Sequence, residues 1–579
     1  MKNFITLSLS LFLITTIKGQ VNITMTNPIV DEILKGQYNV ADYAASTINN
    51  HPEQIKSILQ AHINADSLKA HISQLVSFGN RNTASDTLST NAGIGAARSY
   101  IYKKFKAFSN RNEGRLIPSY LQFDQLICGM ERHKNTIAVL PGSDPGRPII
   151  IVEGHLDSRC EAACDINCRA EGAEDNASGT AIVIELARVL SKLSLKNTIV
   201  FMATTGEEQG LFGAEAFAQY AINQGLSIKS VFNNDVVGGI ACGVTSSPPS
   251  CPSENDIDST QLRMFSSGGS NSPHKALCRF IKMQYEDEIK STETVPMQIT
   301  VMSAEDRTGR GGDHIPFRRA GFTAMRFTCA NEHGNGGAGE LDYHDRQHTK
   351  DDILGIDRNA DGVLDSFYVD FNYLARNTKV NAIGIAMSAI NLEPDITIET
   401  RKEGSWIILT INDPDDHDLF KVGYRNSGND FDSTYLLRGV KTDTLFIQER
   451  GSHFVSVAAV DSNNIESYFS NEERESVFVL ATEEEIIEDK NIELLQNKPN
   501  PFDEATIIGF EVKNPIAYRD AVIQITNKAG QIIKTYPVRI NVGMNEVVHT
   551  HGYGQIGLHI YSLIIDGQII SSKKMIFAN

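Results

Sequence analysis

Between residues 66 and 395 the chain alternates between two apolar rhythms. Short, nearly continuous apolar runs at 135–140, 148–153, 198–203, 231–234 and 323–328 read as strands. Stretches of helical period separate several of them, as over 67–78 and 179–193. The combination predicts an α/β fold. Its sheet is mixed, largely parallel, flanked by helices and buried on both faces. Ahead of it, 21–65 reads as a helical lead-in, with helical stretches at 31–34 and 51–63. Beyond 395 the rhythm shortens. Runs at 406–411, 420–424, 444–448 and 453–459 alternate with period two, parted by turn sequences such as Asp413-Pro414-Asp415-Asp416. That texture predicts two small all-β sandwich domains, at 396–480 and 491–579, joined by an acidic linker at 481–490.

The first 20 residues stand apart: Met1-Lys2-Asn3, an apolar run to Ile17, then Lys18-Gly19-Gln20. They read as a secretory signal peptide, 1–20, and no later run is long and apolar enough to predict a membrane span. A net charge of −18 argues against a nucleic-acid partner, because phosphate binding needs a basic face. All eight cysteines fall between Cys128 and Cys329. In an exported chain they predict disulfides, with the pairing left open. Cys160, Cys164 and Cys168 lie four apart and lack the repeated CxxC pairs of structural zinc sites.

Chemistry concentrates in five short motifs. Gly154-His155-Leu156-Asp157-Ser158 follows a strand, so His155 sits at a strand end, where ligands gather in open α/β sheets. Asp157, two residues on, shares its side of an extended chain and reads as the orienter of a metal-bound imidazole. Gly172-Ala173-Glu174-Asp175-Asn176 precedes a helix, and a carboxylate there can offer one oxygen to each of two metals. Gly206-Glu207-Glu208-Gln209 pairs two carboxylates, one able to ligate and its neighbour to take a proton from water. Asn233-Asn234-Asp235 again ends a strand in a carboxylate, and Gln347-His348-Thr349 lies far downstream. Two imidazoles and several carboxylates suit two zinc or similar ions, and manganese or cobalt would also fit the donor types.

These motifs, in this order, resemble the co-catalytic di-zinc aminopeptidase family, which also contains glutamate carboxypeptidases, glutaminyl cyclases and the non-catalytic transferrin receptor. The resemblance covers about 66–395 and extends to Gly312-Asp313-His314-Ile315-Pro316-Phe317. It implies an exopeptidase that removes N-terminal residues from peptides by a metal-bridging water activated by Glu207, and the signal segment adds that it is secreted. His155 and Asp235 match ligands of one metal, Asp175 the bridging carboxylate, and Glu208 and His348 ligands of the other; Glu207 matches the general base. His344 lies close to His348 but lacks the following threonine. A carboxypeptidase or other hydrolase of the family shares these motifs. A non-catalytic adhesion protein is the reading from another class, and the unsubstituted ligand set counts against it.

Three further stretches carry expectations. Residues 396–480 resemble a fibronectin type III module, with Trp406 on an early strand. The tail opens with Asn497-Lys498-Pro499-Asn500-Pro501-Phe502, continues through Asn527-Lys528-Ala529-Gly530 and Gly557-Leu558-His559-Ile560-Tyr561, and ends near Lys573-Lys574. It resembles the C-terminal sorting domain of the type IX secretion system. That implies export by this machinery in a Gram-negative bacterium, to the surface or the medium. Asp357, Asn359, Asp361 and Asp365, with Gly362 at the sixth position, resemble a calcium loop, but Tyr368 stands where the twelfth-position glutamate belongs. The alternative is a polar turn held by Asx bonds.

Overall fold

The computed structural model describes residues 21–241, 257–307, 310–330, 346–404, 406–426, 428–447, 451–477, 491–502, 505–527, 531–550 and 557–577. The signal segment 1–20, Cys242, Cys251, His344, the linker 481–490 and Lys528-Ala529-Gly530 lie outside the described residues.

Nine strands build one sheet: β1 (Val21–Met25), β2 (Ile117–Ile127), β3 (Met130–Leu140), β4 (Ile149–His155), β5 (Ile199–Thr204), β6 (Ile228–Asn234), β7 (Gln261–Ser266), β8 (Gln298–Val301) and β9 (Ala324–Cys329). Their order is β1-β2-β3-β5-β4-β6-β9-β7-β8. The central strands β5, β4, β6 and β9 are parallel. The flanks are antiparallel at β1/β2, β2/β3, β3/β5 and β7/β9, so the mixed sheet is parallel only through its middle and at β7/β8. Every residue of β4 and β5 is buried, which is why their apolar runs are continuous rather than alternating.

The lead-in is not wholly helical. It opens with β1, whose Ile23 and Met25 pack against the sheet's core while Asn22 and Thr24 stay outside. Five residues of period two are too few to declare a strand beside the helices Pro28–Leu34 and Pro52–His62. Helix Gly179–Leu190 is buried along nearly its whole length. Its first residue has to be glycine, because a Cβ there would collide with the Asn234 carbonyl oxygen. That close approach sets the helix start against the carboxyl ends of β4 and β6. Among the described residues no helix is long and apolar enough to cross a membrane.

The chain forms two compact units, Met1–Glu393 with Asp461–Tyr468, and Pro394–Val460 with Phe469–Asn579. The short segment Asp461–Tyr468 belongs to the first unit by direct contact. Leu392 N–H donates to the Glu466 carbonyl at 3.3 Å, the Tyr468 hydroxyl donates to Ser388 Oγ at 2.9 Å, and the Tyr468 ring meets Phe280 edge-on. The second unit holds two pairs of sheets, each pair of three and four strands, and each pair encloses its own apolar cluster. One cluster runs from Ile398 to Val457, the other from Ile492 to Phe577. Trp406 is not in the first of these cores. It is 47% exposed and packs instead on the cross-strand neighbour Phe446.

Candidate metal centre

The parallel strands deliver their last residues to one edge of the sheet. His155 ends β4, and Asp235 follows β6. After β5, Gly206 takes a φ of +85° and turns the chain so that Glu207 and Glu208 follow directly on the strand end. Asp175 comes from the loop before helix Gly179–Leu190. His348 arrives from far downstream.

Asp175 lies at the centre. Its Oδ1 is 3.0 Å from His155 Nε2 and its Oδ2 is 3.1 Å from His348 Nε2, so one carboxylate faces both imidazoles. Asp235 Oδ1 lies 3.4 Å from the same His155 nitrogen, and Glu208 Oε2 lies 3.1 Å from His348 Nε2. Donor atoms of His155, Glu207 and Asp235 fall within 4.8 Å of one another, as do those of His155, Asp175 and Glu208. The structure thus brings together all six residues singled out as ligands or base.

Asp157 is where the expected role changes. His155 Nδ1–H donates to the Asp157 main-chain carbonyl at 3.0 Å, while the Asp157 carboxylate stands 3.9 Å from that nitrogen. The carboxylate turns elsewhere. It accepts from Thr83 Oγ1 at 3.0 Å and from the backbone N–H groups of Glu207 and Glu208 at 3.4 and 3.2 Å. Asp157 therefore steadies the paired glutamates, and its backbone orients the histidine.

Sequence reasoning missed several supports. Asp352 accepts the backbone N–H groups of Glu174 and Asp175, both at 2.9 Å, and so fixes the loop that presents the central carboxylate. Arg81, fully buried, spends its guanidinium on carbonyls of Leu156, Glu171 and Gly172, tying the two ligand-bearing loops together. Arg326 pairs with Asp235 Oδ2 at 3.0 Å and Asp306 Oδ2 at 2.9 Å. Arg159 contacts Glu208 and His348. Glu153 was within reach of the sequence: two residues before His155 on the same strand, it shares that face. Asp352, four residues after His348, and Arg159, directly after the first motif, also stand beside ligands in sequence, whereas Arg81 and Arg326 carry no such local signal.

The electrostatics follow from enclosure. Burial disfavours the charged form of Asp175, but hydrogen bonds from His155 and His348 win and hold it well below the usual carboxylate range. Glu207 goes the other way: burial, with the charges of Asp235, Glu208 and Asp313 adding to it against His155, pushes its carboxyl well above that range. Burial also pushes Asp313 up to about 7 and Glu153 well upward. His348 rises to about 10 despite its burial, because Glu208 and Asp175 face it.

Such crowding of carboxylates in a dry site calls for cations. Glu208 Oε1 is buried and accepts no hydrogen bond. An oxygen in that position, among imidazole nitrogens and carboxylates, fits a zinc ligand. Cys160, Cys164 and Cys168 form no metal site: Cys128 pairs with Cys164 and Cys160 with Cys168 in disulfides. In the loop from Asp357 to Asp365 the side-chain oxygens accept backbone N–H groups. Asp357 takes Gly362 N–H at 2.8 Å, Asp361 takes Val363 N–H at 2.8 Å, and Asp365 takes Arg358 N–H at 2.6 Å. Asn359 Oδ1 accepts Asp361 N–H at 3.0 Å. That is the bonding of a polar turn held by Asx bonds.

A family model described as Peptidase family M28 matches residues 135–364, a span that holds His155, Asp175, Glu207, Glu208, Asp235 and His348. A protein of Leptosphaeria maculans named "Probable zinc metalloprotease" is 34% identical over 363 residues, covering 60% of this chain and 80% of the relative. One of the same description from Pyricularia oryzae is 32% identical over 399 residues, covering 64% and 71%. Among solved structures, the LapA aminopeptidase of Legionella pneumophila is similar at 18% identity, covering 60% of this chain and 77% of that one, with a TM-score of 0.42.

Asp352→Asn leaves one acceptor where two backbone N–H groups converge. The variant should lose about 1–3 kcal/mol of stability together with most peptidase activity, as read by denaturant unfolding and turnover; unchanged values in both would remove Asp352 from the centre.

Proposed function

This chain belongs to peptidase family M28 and is a zinc metallopeptidase; on that premise we propose that it holds two zinc ions and removes N-terminal residues from peptides. The observation that carries the reading is Asp175, with one oxygen toward each of two histidines. In this reading His155, Asp175 and Asp235 hold one ion, and Asp175, Glu208 and His348 the other. Bound there, the ions supply a polarised scissile carbonyl and a water of lowered pKa.

The chain's own groups do the rest. Glu207 stands beside His155 and Asp235, placed to take a proton from that water and return one to the leaving amine, and burial raises its proton affinity above that of an exposed glutamate. Asp157, through the Glu207 and Glu208 backbone, keeps base and ligand in one register. Arg326 occupies one oxygen of Asp235 and leaves the other to face His155. The preference for an N-terminal residue rests on the motif resemblance.

We extend the proposal to export: a signal peptide at 1–20, and a type IX sorting domain at 491–579 that follows a fibronectin-like module at 396–480. Supporting this, the tail's strands enclose a core of their own, from Ile492 to Phe577.

Two measurements test the reading. Glu207→Ala should keep its zinc and lose about 10²–10⁴-fold in turnover, and cleavage by the wild type should vanish with chelator and on N-acetylated peptides. Full activity of the variant sinks the base, and unimpaired cleavage of acetylated peptides sinks the aminopeptidase. Deleting 491–579 should strand the protein in the periplasm, whereas normal export would reject the sorting role.

A further inference from the structure

Arg159 follows the first ligand motif directly, yet no step above uses it. Its Nε donates to Glu208 Oε2 at 2.8 Å, and its Nη2 lies 2.6 Å from His348 Nδ1. One guanidinium therefore spans the two side chains that, apart from the shared Asp175, make up the second half-site. Its planar fork holds the Glu208 carboxylate in a fixed direction, which a lysine ammonium does not do. Glutamate has three rotatable side-chain bonds, so an orienting partner removes much of its freedom before a metal is bound.

The two half-sites are supported differently. In the first, Arg326 grips Asp235 from within strand β9, is fully buried and is itself held by Asp306. In the second, Arg159 sits on an irregular loop outside the sheet, with its side chain 16% exposed. That loop is fastened by covalent bonds. Cys160, next to Arg159, is joined to Cys168, and Cys164 is joined to Cys128 at the turn between β2 and β3. At the loop's centre the Ala163 carbonyl accepts from Gln209 Nε2 at 3.0 Å and Asn82 Nδ2 at 2.8 Å. Gln209 is the residue after Glu208. The loop thus holds the glutamate segment twice, through Arg159 on the side chain and through Gln209 beside it.

We propose that Arg159 is the positioning residue of the second half-site, and that the two disulfides set it in place. Glu208 is then aligned by a stapled loop, while His155 and Asp235 are aligned by the sheet. The proposal rests on the two-ion reading.

Zinc held per chain, titrated against a competing chelator on the full-length protein, tests it. Arg159→Lys keeps the charge and removes the fork, so any change reports positioning rather than charge. One ion should be held as in the wild type and the other about 10–100-fold more weakly, the range for loss of an orienting partner of a metal ligand. Reducing the wild type with a phosphine, which leaves zinc free, should weaken the same single ion, and Gln209→Ala should shift it in the same direction. These two arms carry the test should Arg159→Lys fail to fold. Two ions held as tightly as in the wild type, or both weakened equally, overturn the role of Arg159. A wild type that binds only one ion overturns the two-ion reading itself, and the two failures are distinct in the same titration.

Discussion

An ionised carboxylate shut away from water is the constraint around which this structure is arranged. Asp175 is buried, and burial alone would neutralise it. It stays charged because two imidazoles face its two oxygens, and Asp352 fixes its loop by accepting the backbone N–H groups of Glu174 and Asp175. Each partner needs support of its own. His155 is held by a strand end and the Asp157 carbonyl, and the loop before Asp175 is held by Arg81. Packing Gly179 against Asn234 brings that loop to the edge where β4, β5 and β6 end. Altering any of these contacts moves the carboxylate, so the site and the middle of the sheet form one mechanical object.

The same edge explains how one fold separates two carboxylate roles. Asp175 is stabilised as an anion, whereas Glu207, a few ångströms away, is surrounded by Asp235, Glu208 and Asp313 and is pushed toward its neutral form. Opposed environments of this kind divide ligand from base. In the proposed mechanism the first carboxylate shares charge between ions and the second moves a proton. The acidity of the whole chain, a net charge of −18, plays no part in this division, which is set by groups within the enclosed site.

What the sequence made legible was what it encodes locally. β4 and β5 stand out because burial on both faces leaves nearly continuous apolar runs, and β6 and β9 keep shorter ones around their buried polar residues. His155 ends β4, Asp235 comes directly after β6 and the paired glutamates come just beyond β5, so finding the strand finds the ligand. β1 and β2 did not stand out: one is five residues long, and the other alternates at the flank of the sheet, where half its residues meet solvent. Asp352 lies 178 and 177 residues from the N–H groups it accepts, and Arg159 lies 189 residues from His348. No spacing rule reaches that far. Asp157 is the instructive intermediate case. Its spacing from His155 predicted a contact, and the contact exists, but the backbone carbonyl makes it and frees the carboxylate for the glutamates. Asp461–Tyr468 likewise reads as part of a β-module by rhythm, yet belongs to the first unit by its partners.

Anomalous diffraction at the zinc edge, on crystals of the full-length protein, measures the central claim most directly. The account predicts two peaks astride the Asp175 carboxylate, about 3.5–4 Å apart, one beside His155 and Asp235 and the other beside Glu208 and His348. A single peak, or two peaks that do not share Asp175, would contradict it.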